Sequence, residues 1–233
     1  IELTADVYPY QRWAANLAIL FPSRDYSRRE DADFTFAHTA IAEDILLLKF
    51  PANPDFNGRT IADVAALTGR SPEDTLMDLA QTADDHLRET GQEGSLIIAK
   101  GMSEEDIVAF MQWPHAVFCS DGWHGGHPRG YGSFPRVLGR YVRELGVLTL
   151  PAAIHKMTGM TAAALGIRDR GQVKVGNYAD IVVFDPETIA DNATMTNPTA
   201  AATGIKHVWV NGALVFDDGK PTGVYAGQII SRP

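Results

Sequence analysis

The chain has 233 residues, 45% of them hydrophobic and 21% charged, which suits a globular protein of one large domain or two small ones. A formal net charge of −9 argues against nucleic acid as the main partner, because an acidic surface repels a phosphate backbone. The one cysteine excludes an internal disulfide framework and a multi-cysteine zinc knuckle, and no run approaches the roughly 20 apolar residues of a membrane span.

Residues 1–8 read as a first strand, ended by Pro9, which has no N–H to give a ladder. Because this strand has no start signal and no Met before it, the chain is expected to be a piece of a longer protein. Trp13 to Phe21 predicts a short helix, Pro22 to Asp33 a charged surface loop, and Ile45 to Phe50 a short apolar run closed by Pro51-Ala52-Asn53-Pro54. Thr60 to Thr68 predicts a helix, with Ile61, Val64, Ala65 and Leu67 on one face and Gly69 at its end. Ser71-Pro72-Glu73-Asp74 starts another that runs to about Arg88: a Ser cap, Pro at the first helical position, then acids. A strand over Ser95 to Ala99, a helix from Ser103 to about Gln112 and a strand over Ala116 to Cys119 follow.

Helices are then expected over Arg136 to Leu145, Thr149 to Met157 and Thr161 to Leu165. After about Ile167 the period changes. Gln172 to Val175 and Ile181 to Asp185 read as strands, and Lys206 to Val210 with Ala213 to Phe216 reads as a hairpin around Asn211-Gly212. The order is βα units first and a β-rich tail second.

The chemistry concentrates after the Ala116–Cys119 strand. Ser120-Asp121-Gly122 puts a carboxylate at a strand's carboxyl end, where α/β folds place catalytic groups. Asp121 there could bind a metal, take a proton from water, or serve as a turn residue. The glycine-rich segment from Trp123 to Gly132 adds His124, His127 and Arg129, a composition typical of binding loops. Arg129 could clamp a carboxylate with two hydrogen bonds. His124 and His127 stand three apart, which is poor evidence for a metal site in a loop. Tyr8 and Tyr10 flank Pro9 and could offer a phenol to a substrate or simply pack. Cys119 lies inside the apolar run and reads as a small buried hydrophobe.

These segments resemble the D-aminoacylase (N-acyl-D-amino-acid deacylase) family of the amidohydrolase superfamily. The resemblance rests on TADVYPY, PANPDFNGRTIADVA, CSDG with HPRGYGSFPRVLGRYVRE, RGQVKVGNYADIVVFDP and TGIKHVWVNGALV, which fall in that family's order along essentially the whole chain. It implies an α/β fold: the carboxyl-terminal part of a metal-dependent (β/α)8 barrel over residues 1–166, with a helical insertion at about 22–112, then part of a small β-sandwich over 167–233. It also implies hydrolysis of the amide bond of N-acyl-D-amino acids, with one or two zinc ions. By resemblance Asp121 is metal ligand and general base, and Arg129 with Tyr8 holds the substrate's carboxylate, Tyr10 being the weaker match. The family's His-x-His pair and further His ligands have no counterpart here, so a companion amino-terminal chain or segment is expected to carry them. A dipeptidase, a dihydropyrimidinase-like hydrolase of cyclic amides, and an inactive fragment acting as a structural or binding module are the alternatives. A cytoplasmic protein with neither nucleic acid nor membrane as partner is expected.

Overall fold

The computed structural model describes residues 3–122 and 126–230. It forms two compact units, one of Ile1–Tyr10 with Glu104–Pro233 and the other of Gln11–Ser103. The expected insertion at about 22–112 and boundary at 166 are thus set beside a unit that runs from Gln11 to Ser103.

The first unit opens with strand β1 (Ala5–Val7). The second unit then runs β2 (Arg12–Ala15), a turn of 3-10 helix (Leu17–Leu20), α1 (Arg29–His38), β3 (Leu46–Lys49), α2 (Ile61–Thr68), α3 (Pro72–Thr90) and β4 (Leu96–Lys100). Its three strands lie in the order β2-β4-β3, both pairs antiparallel, with Trp13 opposite Ala99 and Leu47 opposite Ile97. Helix ends follow the sequence. Thr60 and Asp63 form a reciprocal capping box on α2, Ser71 caps α3 ahead of Pro72, and Gly69 and Gly91 end the two helices in the left-handed region at φ 67° and 69°. Leu17, Phe21, Ile45, Leu47, Phe50, Ile61, Leu76 and Ile97 form a core in which none is more than 1% exposed. Each such side chain contributes about 1.5–3 kcal/mol by leaving water.

Two expectations fail here. Trp13 to Phe21 is not a helix: Arg12–Ala15 pairs with Lys100 to Ile97, and only Leu17–Leu20 turns. A helix that short bears the full nucleation cost, whereas a waiting strand edge offers ladder bonds at once. The segment from Pro22 to Asp33 is not loop throughout, since α1 begins at Arg29. Its buried residues are only Asp31, Ala32 and Thr35, too polar a face to show as apolar periodicity, and Asp31 is held by Ser23 through both backbone N–H and hydroxyl.

The first unit resumes with α4 (Glu104–Gln112), β5 (Ala116–Phe118), α5 (Arg129–Arg136), which continues as π-helical turns over Val137–Glu144, α6 (Leu150–Met157) and α7 (Gly159–Ala164). Strands β6 (Ile181–Phe184), β7 (Ile205–Val210), β8 (Ala213–Asp217) and β9 (Lys220–Pro221) follow as an antiparallel sheet in chain order. β1 and β5 pair in parallel, with Ala5, Asp6 and Val7 opposite Ala116, Val117 and Phe118. Lys156 on α6 anchors the start of β5: its buried ammonium donates to the carbonyls of Trp113 (2.6 Å) and Ala116 (2.9 Å), while burial lowers its pKa. The β7–β8 hairpin turns at Asn211-Gly212 with φ of 50° and 80°, as a tight two-residue loop requires.

Gln172 to Val175, expected as a strand, is irregular, with Val173 92% and Val175 101% exposed. Neither a ladder partner nor a face to bury is available to it among the described residues. The helix expected from Arg136 starts earlier, at Arg129, so the end of the glycine-rich segment is helical rather than loop. Gly132 is there for contact, not freedom: a Cβ would lie 2.3 Å from the Tyr10 hydroxyl. Pro135 inside α5 removes a helical donor, and the wider π turns follow directly.

Candidate active site

The parallel pairing brings two strand ends together. Tyr8 follows β1, Cys119 follows β5, and the Cys119 N–H still donates to the Val7 carbonyl at 3.2 Å. Two residues on, the chain turns sharply: Asp121 has a φ of 45°, a conformation uncommon outside glycine but tolerated by Asp. The Asp121 side chain is left 56% exposed.

Arg129, the first residue of α5, reaches back to that turn. Its Nε donates to the Asp121 carbonyl at 2.7 Å and its Nη2 lies 3.1 Å from Asp121 Oδ2. The guanidinium is only 7% exposed, and its carbon stands 5.2 Å from the centre of the Tyr8 ring. One buried cation thus touches the backbone and carboxylate of Asp121 and the face of Tyr8. Burial raises the Tyr8 pKa, against a lowering pull from Arg129, so its phenol stays protonated and able to donate.

Behind this trio lies a second layer. His127 is buried, and its Nδ1 accepts the Arg129 N–H at 3.1 Å, fixing the first turn of α5. Its ring meets Tyr8 and Tyr10 edge-on, at 6.3 Å and 5.3 Å between centres. Tyr10 faces Arg136 rather than Arg129, with 4.9 Å from ring to guanidinium, and Arg136 is paired with Asp191 at 3.0 Å and donates to the Pro9 carbonyl. The Tyr10 hydroxyl is buried, and burial followed by the charge of Asp191 holds it protonated. The two tyrosines of the Tyr-Pro-Tyr segment are therefore different objects: Tyr8 adjoins Asp121 and Arg129, and Tyr10 is packed. His127 stood out in the sequence as a histidine of the glycine-rich segment, but its packing role did not; Asp191, far along the chain, gave no signal.

Cys119 is half-buried, and its thiol is pushed up to about 12 by burial and then by the hydrogen bond to Asp6, so it is protonated at neutral pH. His124 lies outside the described residues. Among the described residues no group of three His, Cys, Asp or Glu side chains could hold a metal ion. Asp121 alone fits a fraction of a ligand set, since a catalytic zinc takes about three protein ligands.

A model of the amidohydrolase family matches residues 27–216, well over half the chain. The D-aminoacylase of Alcaligenes xylosoxydans xylosoxydans is 40% identical over 182 residues, covering 77% of this chain and 35% of its own length. A solved D-aminoacylase with a binuclear metal centre superposes with a TM-score of 0.78 at 36% identity, over 97% of this chain and 42% of that one. The N-acyl-D-glutamate deacylase of Bordetella bronchiseptica, solved with zinc and a phosphonate mimic of its tetrahedral intermediate, superposes with a TM-score of 0.72 at 35% identity, over 94% of this chain and 42% of that one. The chain belongs to the amidohydrolase family, on its D-aminoacylase branch, and has that family's α/β fold. It spans about two fifths or less of the length of these relatives.

Proposed function

We propose that this chain is the carboxyl-terminal part of a metal-dependent hydrolase that cleaves N-acyl-D-amino acids into a carboxylate and a free D-amino acid. The observation that carries the reading is the gathering of Asp121, Arg129 and Tyr8 where β1 and β5 end, on a chain whose relatives include D-aminoacylases and an N-acyl-D-glutamate deacylase. In this reading β1 and β5 are neighbouring strands of a (β/α)8 barrel, Gln11–Ser103 is an insertion in it, and β6 to β9 belong to a β-sandwich. The parallel pair supports this, because parallel strands are found in sheets covered on both faces, which two strands cannot make alone.

Asp121 is assigned the general base and one metal ligand. It takes a proton from the water whose oxygen attacks the acyl carbon. It then gives that proton to the nitrogen as the carbon–nitrogen bond breaks. Arg129 and the Tyr8 hydroxyl are assigned to the substrate's carboxylate, which fixes the handedness accepted at the neighbouring carbon. The remaining ligands are assigned to residues outside the described ones, on a companion amino-terminal segment. Zinc is the metal proposed, in keeping with the zinc-bound relative.

The test uses the complete natural polypeptide loaded with zinc and offered paired N-acetyl-D- and N-acetyl-L-amino acids. Release of the D-amino acid is expected to dominate, and Asp121→Asn should lower kcat by about 10²–10⁴. Near-normal turnover by the variant would remove Asp121 as base, and preference for cyclic amides would favour the dihydropyrimidinase-like alternative.

A further inference from the structure

The Tyr8-Pro9-Tyr10 turn is held from far along the chain. The Tyr10 N–H donates to the Tyr8 carbonyl at 3.0 Å, which closes the turn about Pro9. Proline fixes its own φ and restricts Tyr8 before it, so the direction of the Tyr8 side chain follows the placing of this turn. Arg136 does the placing. Its Nε donates to the Pro9 carbonyl at 2.9 Å, its Nη1 pairs with Asp191 Oδ2 at 3.0 Å, and its carbon stands 4.9 Å from the centre of the Tyr10 ring. The pair is mostly out of water, with the Asp191 side chain 13% exposed. Asp191 is fixed in its turn. Ala190 before it exchanges backbone hydrogen bonds with Thr203 at 3.1 and 3.3 Å, and Arg143 Nη1 donates to the Ile189 carbonyl at 2.6 Å. The helix that carries Arg136 comes close enough that a Cβ on Gly139 would lie 2.7 Å from the Ile189 carbonyl.

We propose that Asp191 is a positioning residue for carboxylate binding: through Arg136 it holds the Pro9 carbonyl and so sets the Tyr8 phenol where it meets the same carboxylate as Arg129. This rests on the deacylation reading and adds to it a determinant that lies outside the two strand ends. Without Asp191 the Arg136 guanidinium has no charge partner there, and a part-buried cation turns toward water instead of staying on the Pro9 carbonyl. The turn about Pro9 is then free to rotate. A hydrogen bond weakens steeply as its angle closes, so a small rotation takes the phenol off the carboxylate. Arg129 is not moved by the same change, because its Nε is held separately on the Asp121 carbonyl at 2.7 Å. Asp191 is assigned no contact with substrate. The carboxylate is present in ground state and transition state alike, so the loss falls on binding and not on kcat.

The experiment uses the complete zinc-loaded polypeptide and reads binding as well as turnover. The probe is the free D-amino acid released from whichever N-acetyl-D-amino acid the protein turns over best. Its Kd is measured by calorimetry, with the corresponding amine, which lacks the carboxylate, as control. Asp191→Ala should weaken the D-amino acid about tenfold, the worth of one charge-assisted hydrogen bond, and the amine by less than about twofold. KM should rise by a similar factor while kcat stays within about twofold. Asp191→Asn, which keeps an acceptor for Arg136 but not the charge, should lose about threefold. In a Tyr8→Phe background, where the hydroxyl is already gone, either change at Asp191 should add less than about twofold. An equal loss with and without the Tyr8 hydroxyl would mean that Asp191 only stabilises the fold, and it overturns the proposal. Unchanged affinity of the D-amino acid in Asp191→Ala overturns it too. Should circular dichroism show that Asp191→Ala does not fold, Asp191→Asn decides by the same comparison in both backgrounds. Failure of the unaltered protein to hydrolyse any N-acetyl-D-amino acid would instead sink the deacylation reading itself.

Discussion

The Gln11–Ser103 unit and the unit that carries Asp121 bury their apolar surface to different degrees. The Gln11–Ser103 unit closes on itself: its core is contiguous, α2 and α3 are capped at both ends, and a cavity lined by Ala80, Ala83 and Leu87 holds only about 50 Å³. The site-bearing unit leaves much more undone. An apolar cavity of about 420 Å³ lies between Phe134 and Leu138, Ile154 and Met157 of α6, and Val182, Phe184 and Val208 of the sheet. Val173, Val175, Tyr225 and Ile229 are more than nine-tenths exposed, and β1 and β5 form a sheet of two strands. Well-packed interiors leave few voids larger than a water molecule, and large exposed apolar patches mark interaction surfaces. The lesson is that self-sufficiency and chemistry have been separated: the site sits on the unit with more surface still to bury.

The largest effect that would break this comparison is failure of the Gln11–Ser103 unit to fold by itself. Its two ends are held together, since the Gly101 N–H donates to the Gln11 carbonyl at 3.0 Å, so cutting it out severs chain at neighbouring points. Expressed alone, it is expected to melt in one cooperative transition, followed by circular dichroism, whereas residues 104–230 alone should not. A broad, non-cooperative melt of residues 11–103 would show that its closed core is not sufficient.

A smaller effect sharpens the same point inside the core. Ile97 is fully buried at the centre of the β2-β4-β3 sheet, opposite both Ala15 and Leu47. Ile97→Ala should cost about 2–5 kcal/mol in urea unfolding, because a close-packed site collapses only partly around a deletion. A loss below 1 kcal/mol would mean that the sheet repacks and is looser than its burial suggests.

What the sequence made legible follows from where the physics is local. Caps are local, so α2 and α3 could be placed almost to the residue from Thr60, Asp63, Ser71-Pro72 and the glycines beyond. The Asn211-Gly212 hairpin is local in the same way. Strand β2 was not, because Arg12–Ala15 becomes a strand only when β4 supplies an edge almost ninety positions later. At the site, Asp121 and Arg129 were visible as residue types at a strand end. Their mutual pairing was not, because it depends on the left-handed turn at Asp121 and on α5 starting at Arg129 instead of after Pro135. His127 was visible as a residue of the glycine-rich segment but not its packing against Tyr8 and Tyr10, and Asp191, which pairs with Arg136, lies too far along the chain to be read with the site.

The smallest of these effects concerns another Asp–Arg pair in the site-bearing unit, which is built to stay closed. Asp180 accepts the Asn211 backbone N–H at 2.8 Å and pairs with Arg170, whose side chain is 12% exposed and whose Nη2 also donates to Asn211 Oδ1 at 2.6 Å. Burial opposes ionisation of Asp180, but the Asn211 amide and Arg170 outweigh it, and its pKa is lowered. A carboxyl with a depressed folded pKa contributes stability that is present above its unfolded value and disappears as pH falls through the folded one. Asp180→Asn should therefore cost about 1–3 kcal/mol near pH 7, the penalty for leaving a buried cation without its partner. The gap between variant and wild type should narrow below about pH 4, the unfolded carboxyl range. Urea midpoints measured for both proteins from pH 7 down to pH 3 check this, and a constant gap over that range would mean that Asp180 contributes through shape alone. Among the described residues, no such third partner meets the Asp121 carboxylate in the Asp121–Arg129 pair, and that carboxylate is more exposed. A gap that fades only below about pH 4 would show that the fold uses the Asp180–Arg170 pair, with the Asn211 amide as third partner, to lock the β7–β8 turn.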